Sequence, residues 1–296
     1  MCDLKALDLS VSVVIPALNE QFAITETVKT IMLALSDAGI FDIEIIVVDD
    51  GSVDETGELA RQAGAVVITN PHNIGYGFAL KTGILAARFD TIVITDADGT
   101  YPIERIPRLL SEYQKGFNLV VGARAGRHYR ESLLKMPLRI LLRWLVEFVV
   151  GQRITDINSG LRVFSRQAII PYFDQLCDTF SFTTSMTLAY VMTKKFIYYV
   201  PIDYRKRVGQ TKVRLFKDSL RTLQYIIQAI IYYNPLKMFV VLCLLVMLLA
   251  LLSLILAIFT ETSGLLFLGF GCILATPILF SMGLLADLLR QIMLKQ

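Results

Sequence analysis

Short runs of aliphatic and β-branched residues at 11–15, 43–48, 65–69, 91–95 and 119–121 alternate with stretches of helical periodicity through the first 215 residues. The runs are apolar at nearly every position rather than at every second one. That is the pattern of strands covered on both faces, and it predicts a doubly wound, mostly parallel α/β sheet. The pattern then changes: residues 238–259 and 265–286 are apolar stretches without Lys or Arg, each about the 20 residues needed to cross a hydrocarbon core. Two further segments carry a narrow polar stripe. Lys135, Arg139, Arg143 and Glu147 recur every four positions beside Trp144, and Lys217, Arg221, Gln224 and Gln228 form a similar stripe at spacings of four, three and four. Such helices suit the headgroup region of a membrane, the competing reading being a helix packed on the sheet. The predicted organisation is an α/β domain over 1–215 that includes an interface helix near 131–150, an amphipathic juxtamembrane helix over 216–236, and a transmembrane hairpin over 237–296.

Composition agrees with this division, because 54% hydrophobic residues and a mean hydropathy of +0.57 are too apolar for an ordinary water-soluble α/β protein. The net charge of +3 gives no ground for nucleic-acid binding. The short link at 260–264 has no positive charge, whereas Lys237, Arg290 and Lys295 flank the outer ends, so an integral membrane protein with both termini and the α/β domain in the cytoplasm is expected. Residues 1–10 hold Asp3, Lys5 and Asp8 without a cleavable apolar stretch, and export of the domain is not expected. Cys2, Cys177, Cys243 and Cys272 are scattered, two of them inside the spans, which argues against a disulfide framework or a zinc site.

In a doubly wound sheet ligands collect at the carboxyl ends of the strands. Four such ends are polar: 16–20, 49–54, 96–98 and 122–124. The most informative is Asp96-Ala97-Asp98, two carboxylates one residue apart after an apolar strand. A hard divalent cation takes oxygen ligands, and two carboxylates together with diphosphate oxygens would supply them for Mg²⁺ or Mn²⁺. A turn cap before the next helix is the alternative. The second acidic end, Asp49-Asp50, could accept hydrogen bonds from ribose hydroxyls or a base N–H. Gly75-Tyr76-Gly77 lacks the third glycine of a dinucleotide fingerprint, Leu80 standing in its place.

These motifs together resemble family 2 glycosyltransferases of the GT-A fold. The resemblance is carried by Pro16-Ala17-Leu18-Asn19-Glu20, by Asp49-Asp50-Gly51-Ser52 with Asp54, and by Asp96-Ala97-Asp98, in that order and spacing. Asn73-Ile74-Gly75-Tyr76-Gly77, Asn158-Ser159-Gly160-Leu161-Arg162 and the terminal spans are similar to the dolichyl- and polyprenyl-phosphate hexosyltransferase branch. The resemblance implies a nucleotide-diphosphate sugar bound by Pro16, Asn19, Glu20, Asp49, Asp50, Asp96, Ala97 and Asp98, with Asp96 and Asp98 on the metal and Gly75 and Lys81 beside the donor phosphates. Dolichyl-phosphate mannosyltransferases commonly read Asp-Ala-Asp-Leu-Gln; this chain has Gly99 and Thr100 after Asp98, so the resemblance does not name the sugar.

A lipid phosphate needs charge-assisted partners, for which the guanidinium fork is suited. Arg124, at a strand end, and Arg139, Arg162, Arg207 and Lys212 are the candidates. The resemblance implies attack by the phosphate of a polyprenyl lipid on the anomeric carbon of a UDP- or GDP-sugar, with inversion. Asp98, Arg124 and Asp156 are the expected catalytic residues, Asp156 orienting the phosphate or taking a residual proton. A processive polysaccharide synthase and a non-catalytic nucleotide-sugar-binding membrane protein are the alternatives. The sequence leaves room for a homo-oligomer.

Overall fold

Val and Ile strands that bury both faces need cover on both sides, and the chain supplies it with helices between them. The computed structural model describes residues 9–125, 151, 153–205 and 234–293, together with 147, 224, 227, 228, 231 and 232. Chain contacts divide it into two units, 1–144 with 152–225 and 145–151 with 226–296.

In the first unit, β1 (Val11–Ala17), β2 (Ile43–Asp49), β3 (Val66–Thr69), β4 (Thr91–Ile94), β5 (Leu119–Ala125), β6 (Arg162–Ser165) and β7 (Ile197–Asp203) form one sheet in the order β3-β2-β1-β4-β6-β5-β7. The five expected strands are present. β6 and β7 complete the sheet, and β6 runs antiparallel to both β4 and β5, so the sheet is mixed though mostly parallel. β6 is only four residues long and opens on an arginine, which hides it from a reading based on apolar runs. Because β6 is antiparallel, the turn that precedes it arrives at the carboxyl ends of β4 and β5.

Helix α1 (Ile24–Asp37) buries Ile24, Val28, Ile31 and Leu35 on one stripe. Its end is a Schellman motif, in which Gly39 (φ 76°) donates to Ser36 O and Ile40 to Leu35 O. α2 (Thr56–Gln62), α3 (Tyr76–Ala86), α4 (Ile106–Tyr113), the one-turn α5 (Arg166–Ile169) and α6 (Phe182–Met192) follow in chain order. α3 lies close on the sheet, since a β-carbon on Gly83 would stand 2.4 Å from Val14 Cγ1.

The second unit contains α7 (Pro235–Thr260) and α8 (Ser263–Met293), both long and apolar enough to cross a membrane. Asn234 caps α7 by accepting from Lys237 N at 3.4 Å, with Pro235 at the first helical position. The two helices pack through glycine: a β-carbon on Gly269 would lie 2.6 Å from Leu254 and one on Gly283 2.6 Å from Phe239 Cβ. The expected interface helix near 131–150 and most of the juxtamembrane helix lie outside the described residues.

Candidate active site

The carboxyl ends of β1, β2, β4 and β5 and the turn entering β6 form one rim. Two loops of that rim are locked to each other. Asn19 N donates to Ser52 Oγ at 2.9 Å, Val53 N to Asn19 Oδ1 at 2.9 Å, and Glu20 N to Thr56 Oγ1 at 2.8 Å. Asn19 holds a left-handed φ of 49° to make this junction. Pro16, on β1 opposite Val48, is buried beneath it, and Glu20 is half-buried. Asp49 Oδ1 accepts from Ser52 N at 2.9 Å and so shapes the 49–52 turn.

Asp50 departs from expectation. Its carboxylate, 4% exposed, receives Asn70 Nδ2 at 2.8 Å, Ile74 N at 3.1 Å and Gly75 N at 2.9 Å. These amides precede α3, so Asp50 fills the anion-binding position that a helix start offers. The Asp50 carboxylate thus shapes the entry to α3, and in this structure the Gly75 N–H is hydrogen-bonded to it. Lys81 is likewise engaged: Nζ donates to Leu176 O at 2.7 Å and pairs with Asp178 Oδ1 at 2.6 Å. Gly75 and Gly77 make room for this same segment, a β-carbon on Gly77 falling 2.1 Å from Cys177 O.

At the end of β4, Asp98 is 3% exposed, and its Oδ1 accepts from Thr100 N at 3.0 Å and Thr100 Oγ1 at 2.6 Å. The Thr100 hydroxyl thus orients Asp98. Ala97 is buried, and its carbonyl accepts from Thr27 Oγ1 at 3.1 Å. Asp96 is half-buried and accepts from the Tyr76 hydroxyl at 2.8 Å. Gly160 closes on it from the β6 side, where a β-carbon would lie 2.9 Å from Asp96 Oδ1. Asp96 and Asp98 offer a cation an all-oxygen set, as a hard divalent ion prefers. Among the described residues no group of three or more His, Cys, Asp or Glu side chains forms a complete shell, so diphosphate oxygens would have to supply the remainder.

At the carboxyl end of β5, across β6 from β4, Arg124 Nε and Nη2 donate to Asp156 Oδ2 and Oδ1 at 2.8 and 2.9 Å. Burial alone would raise the Asp156 carboxyl, but hydrogen bonds from Arg124, its charge and the Arg124 and Asn158 amides outweigh it and hold the group below the usual carboxylate range. A base that weak is unsuited to taking a proton near neutral pH. The proton-acceptor option for Asp156 gives way to orientation of Arg124.

Arg162, expected on the acceptor phosphate, is fully buried. Its guanidinium donates to Ser159 O at 2.7 Å, Thr187 Oγ1 at 2.8 Å and Ile157 O at 2.9 Å, and burial lowers its pKa to about 10. Arg162 therefore braces the turn that carries Asp156 and Gly160 from inside. Arg139, Arg207 and Lys212 lie outside the described residues.

Tyrosines that sequence reasoning left unassigned line the rim. The Tyr101 hydroxyl accepts from Gly160 N at 2.6 Å, and Tyr204 meets Tyr101 edge-on at 5.4 Å and lies 5.6 Å under the Arg124 guanidinium. Burial raises all three phenols, Tyr76, Tyr101 and Tyr204, above their ordinary value, which keeps them neutral hydrogen-bonding groups. Tyr76 lies within the Asn73–Gly77 motif and Tyr101 three residues after Asp98; those positions were the only available signal.

Residues 12–173 match the model of glycosyl transferase family 2. The chain belongs to that family. Within glycosyl transferase family 2, the low-salt glycan biosynthesis hexosyltransferase Agl6 of Haloferax volcanii is 31% identical over 223 residues, covering 74% of this chain and 53% of the relative. A dolichyl-phosphate hexose transferase of the same organism is 32% identical over 173 residues, covering 58% of this chain and 74% of the relative. The chain thus spans about half the length of Agl6. The fold matches glucosyl-3-phosphoglycerate synthase from Mycobacterium tuberculosis solved with Mn²⁺ and UDP, at TM-score 0.60 and 23% identity, covering 74% of this chain and 79% of that one. The same synthase has been solved with Mg²⁺ and UDP. At that identity the likeness concerns the GT-A fold alone, and the mixed seven-stranded sheet described above is that fold.

Proposed function

We propose that this family 2 glycosyltransferase transfers a hexose from a UDP- or GDP-sugar to a polyprenyl phosphate, with inversion at the anomeric carbon, at the cytoplasmic face of the membrane. The observation that carries the reading is the placing of the acidic pair Asp96 and Asp98 and the oriented cation Arg124 at the carboxyl ends of β4 and β5, the two strands that flank antiparallel β6. An acidic pair suits a cation-bound diphosphate, and a fixed arginine suits an incoming phosphate. The dolichyl-phosphate hexose transferase relative and the two apolar helices favour a lipid acceptor over a soluble one.

In this reading Pro16, Asn19, Glu20 and Asp49 form the nucleotide side of the rim, and the locked 19–20 and 52–56 loops hold that side rigid. Asp96 and Asp98 would hold Mg²⁺ or Mn²⁺, which supplies charge stabilisation to the departing diphosphate. Arg124 binds and aims the acceptor phosphate, and Asp156 keeps its guanidinium in place. A phosphate oxygen forms the new bond to the anomeric carbon as the bond to the nucleoside diphosphate breaks. That phosphate is largely ionised near neutral pH, so the site needs no strong base. Arg139, Arg207 and Lys212 are proposed as further phosphate partners.

The test is the purified protein with Mn²⁺ or Mg²⁺, undecaprenyl or dolichyl phosphate, and radiolabelled UDP- and GDP-sugars. One donor should yield an organic-phase product that chelation abolishes. No lipid-linked product with any donor, or full activity in Asp98→Ala, overturns the reading.

A further inference from the structure

We propose that Tyr76 is a positioning residue for Asp96, and that Asp50 serves the same end by fixing the first turn of α3 from which Tyr76 projects. The inference rests on the function proposed above and adds to it a device that sets the orientation of one carboxylate.

Tyr76 is the first residue of α3, and its hydroxyl reaches Asp96 Oδ1 at 2.8 Å. Its ring is stacked on Phe180 with centroids 5.7 Å apart and planes at 18°. The backbone beneath it is fastened from two directions. On one side Asp50 takes the Ile74 and Gly75 amides. On the other, Gly75 and Gly77 lie against the 177–178 backbone, Phe78 N donates to Asp178 O at 3.0 Å, and Lys81 ties Leu176 O to the Asp178 carboxylate. A tyrosine held this firmly at ring and backbone has little freedom to follow a wandering carboxylate; the carboxylate must conform to it.

The opposite wall is equally fixed. A β-carbon on Gly160 would lie 2.9 and 3.1 Å from the two Asp96 oxygens, and the Gly160 amide is anchored on the Tyr101 hydroxyl. The missing side chain of Gly160 leaves the Asp96 carboxylate the space it occupies, and the Tyr76 hydrogen bond favours one orientation within that space. Partners that orient a ligating group typically contribute 10- to 100-fold in metal affinity, by removing rotamer freedom before binding. The start of α3, which resembles a phosphate cradle, is on this account a scaffold for a tyrosine.

The experiment measures Mn²⁺ affinity of the full-length protein in detergent, from the electron paramagnetic resonance signal of free Mn²⁺, with UDP and in parallel with GDP. Tyr76→Phe removes only the hydroxyl and keeps the stack on Phe180. It should weaken Mn²⁺ binding about tenfold and raise the donor KM, with the melting temperature held within about 2 °C. Asp50→Asn should weaken Mn²⁺ binding in the same direction and also lower the melting temperature. Tyr172→Phe, which deletes a hydroxyl bonded to Thr193 at 3.2 Å, is the comparison and should leave Mn²⁺ affinity unchanged. Tyr76→Phe binding Mn²⁺ within twofold of the unaltered protein, while Asp96→Ala binds it poorly, overturns this inference alone. Asp96→Ala binding Mn²⁺ normally overturns the metal assignment and this inference with it.

Discussion

Arg124 and Asp156, 32 residues apart in the chain, meet through paired hydrogen bonds of 2.8 and 2.9 Å, and the Arg124 backbone amide adds a third to the same carboxylate at 3.0 Å. A bidentate pair with the carboxylate side chain 3% exposed fixes a cation in direction as well as in place. It also makes each partner depend on the other.

Removing the arginine should therefore expose that dependence. Arg124→Ala leaves a buried carboxylate without its counter-ion, a change that costs about 3 kcal/mol. Thermal unfolding in detergent should show the loss, and lipid-linked product formation should fall by about 100-fold or more. Arg124→Lys keeps the charge without the fork, so stability should recover more than transfer does.

The pH dependence of stability has a definite sign. The folded Asp156 carboxyl titrates below its unfolded value of about 3.9. Its stabilising contribution is thus complete above about pH 4 and is lost as the pH falls through the folded value. The melting temperature of the unaltered protein should drop on acidification over that range. Asp156→Asn should lack this increment, and between about pH 6 and 8 Asp156 should contribute no titration to the rate.

Gly160→Ala places a methyl group 2.9 Å from Asp96 Oδ1. The carboxylate must move, and a displacement of that size in a reacting centre costs on the order of 100-fold in rate. Steady-state kinetics should show the loss with a small change in melting temperature. An unchanged rate would argue against a role for Asp96.

Gly77→Ala tests packing instead. Its methyl would fall 2.1 Å from Cys177 O, where rigid backbone cannot yield as a side chain can. Overpacking of this kind costs about 3 kcal/mol, read out as a lower unfolding midpoint and a reduced yield of folded protein.

Topology can be checked by labelling. In a chain whose cysteines are replaced by serine, a cysteine at Thr262, in the link between α7 and α8, should react with a membrane-impermeant maleimide from outside intact cells. A cysteine at Ser10 should react only after the cells are opened. The reverse pattern would overturn the proposed orientation.

Much of this architecture is visible in the chain because local patterns decide it. Buried parallel strands must be apolar on both faces, so β1, β2 and β4 announce themselves in Val11–Ala17, Ile43–Asp49 and Thr91–Ile94. Likewise, two stretches of about 20 apolar residues announce α7 and α8, two helices long and apolar enough to cross a membrane. The acidic pair Asp96 and Asp98 is legible because it follows an apolar strand directly. β6 was not, since a four-residue strand opening on Arg162 carries no periodic signal.

What the sequence by itself determined, then, is the class of sheet, the acidic rim and the terminal hairpin, each the product of residues near one another in the chain. What tertiary structure alone decided is the use of each polar group. A carboxylate or guanidinium takes its role from whichever partners reach it first, and those partners are remote. Asp50 was claimed by amides 24 and 25 residues on, Lys81 by Asp178, 97 residues on, and Arg162 by the turn it supports. Each looked like a ligand-binding residue in the sequence, and each is hydrogen-bonded to remote parts of the fold.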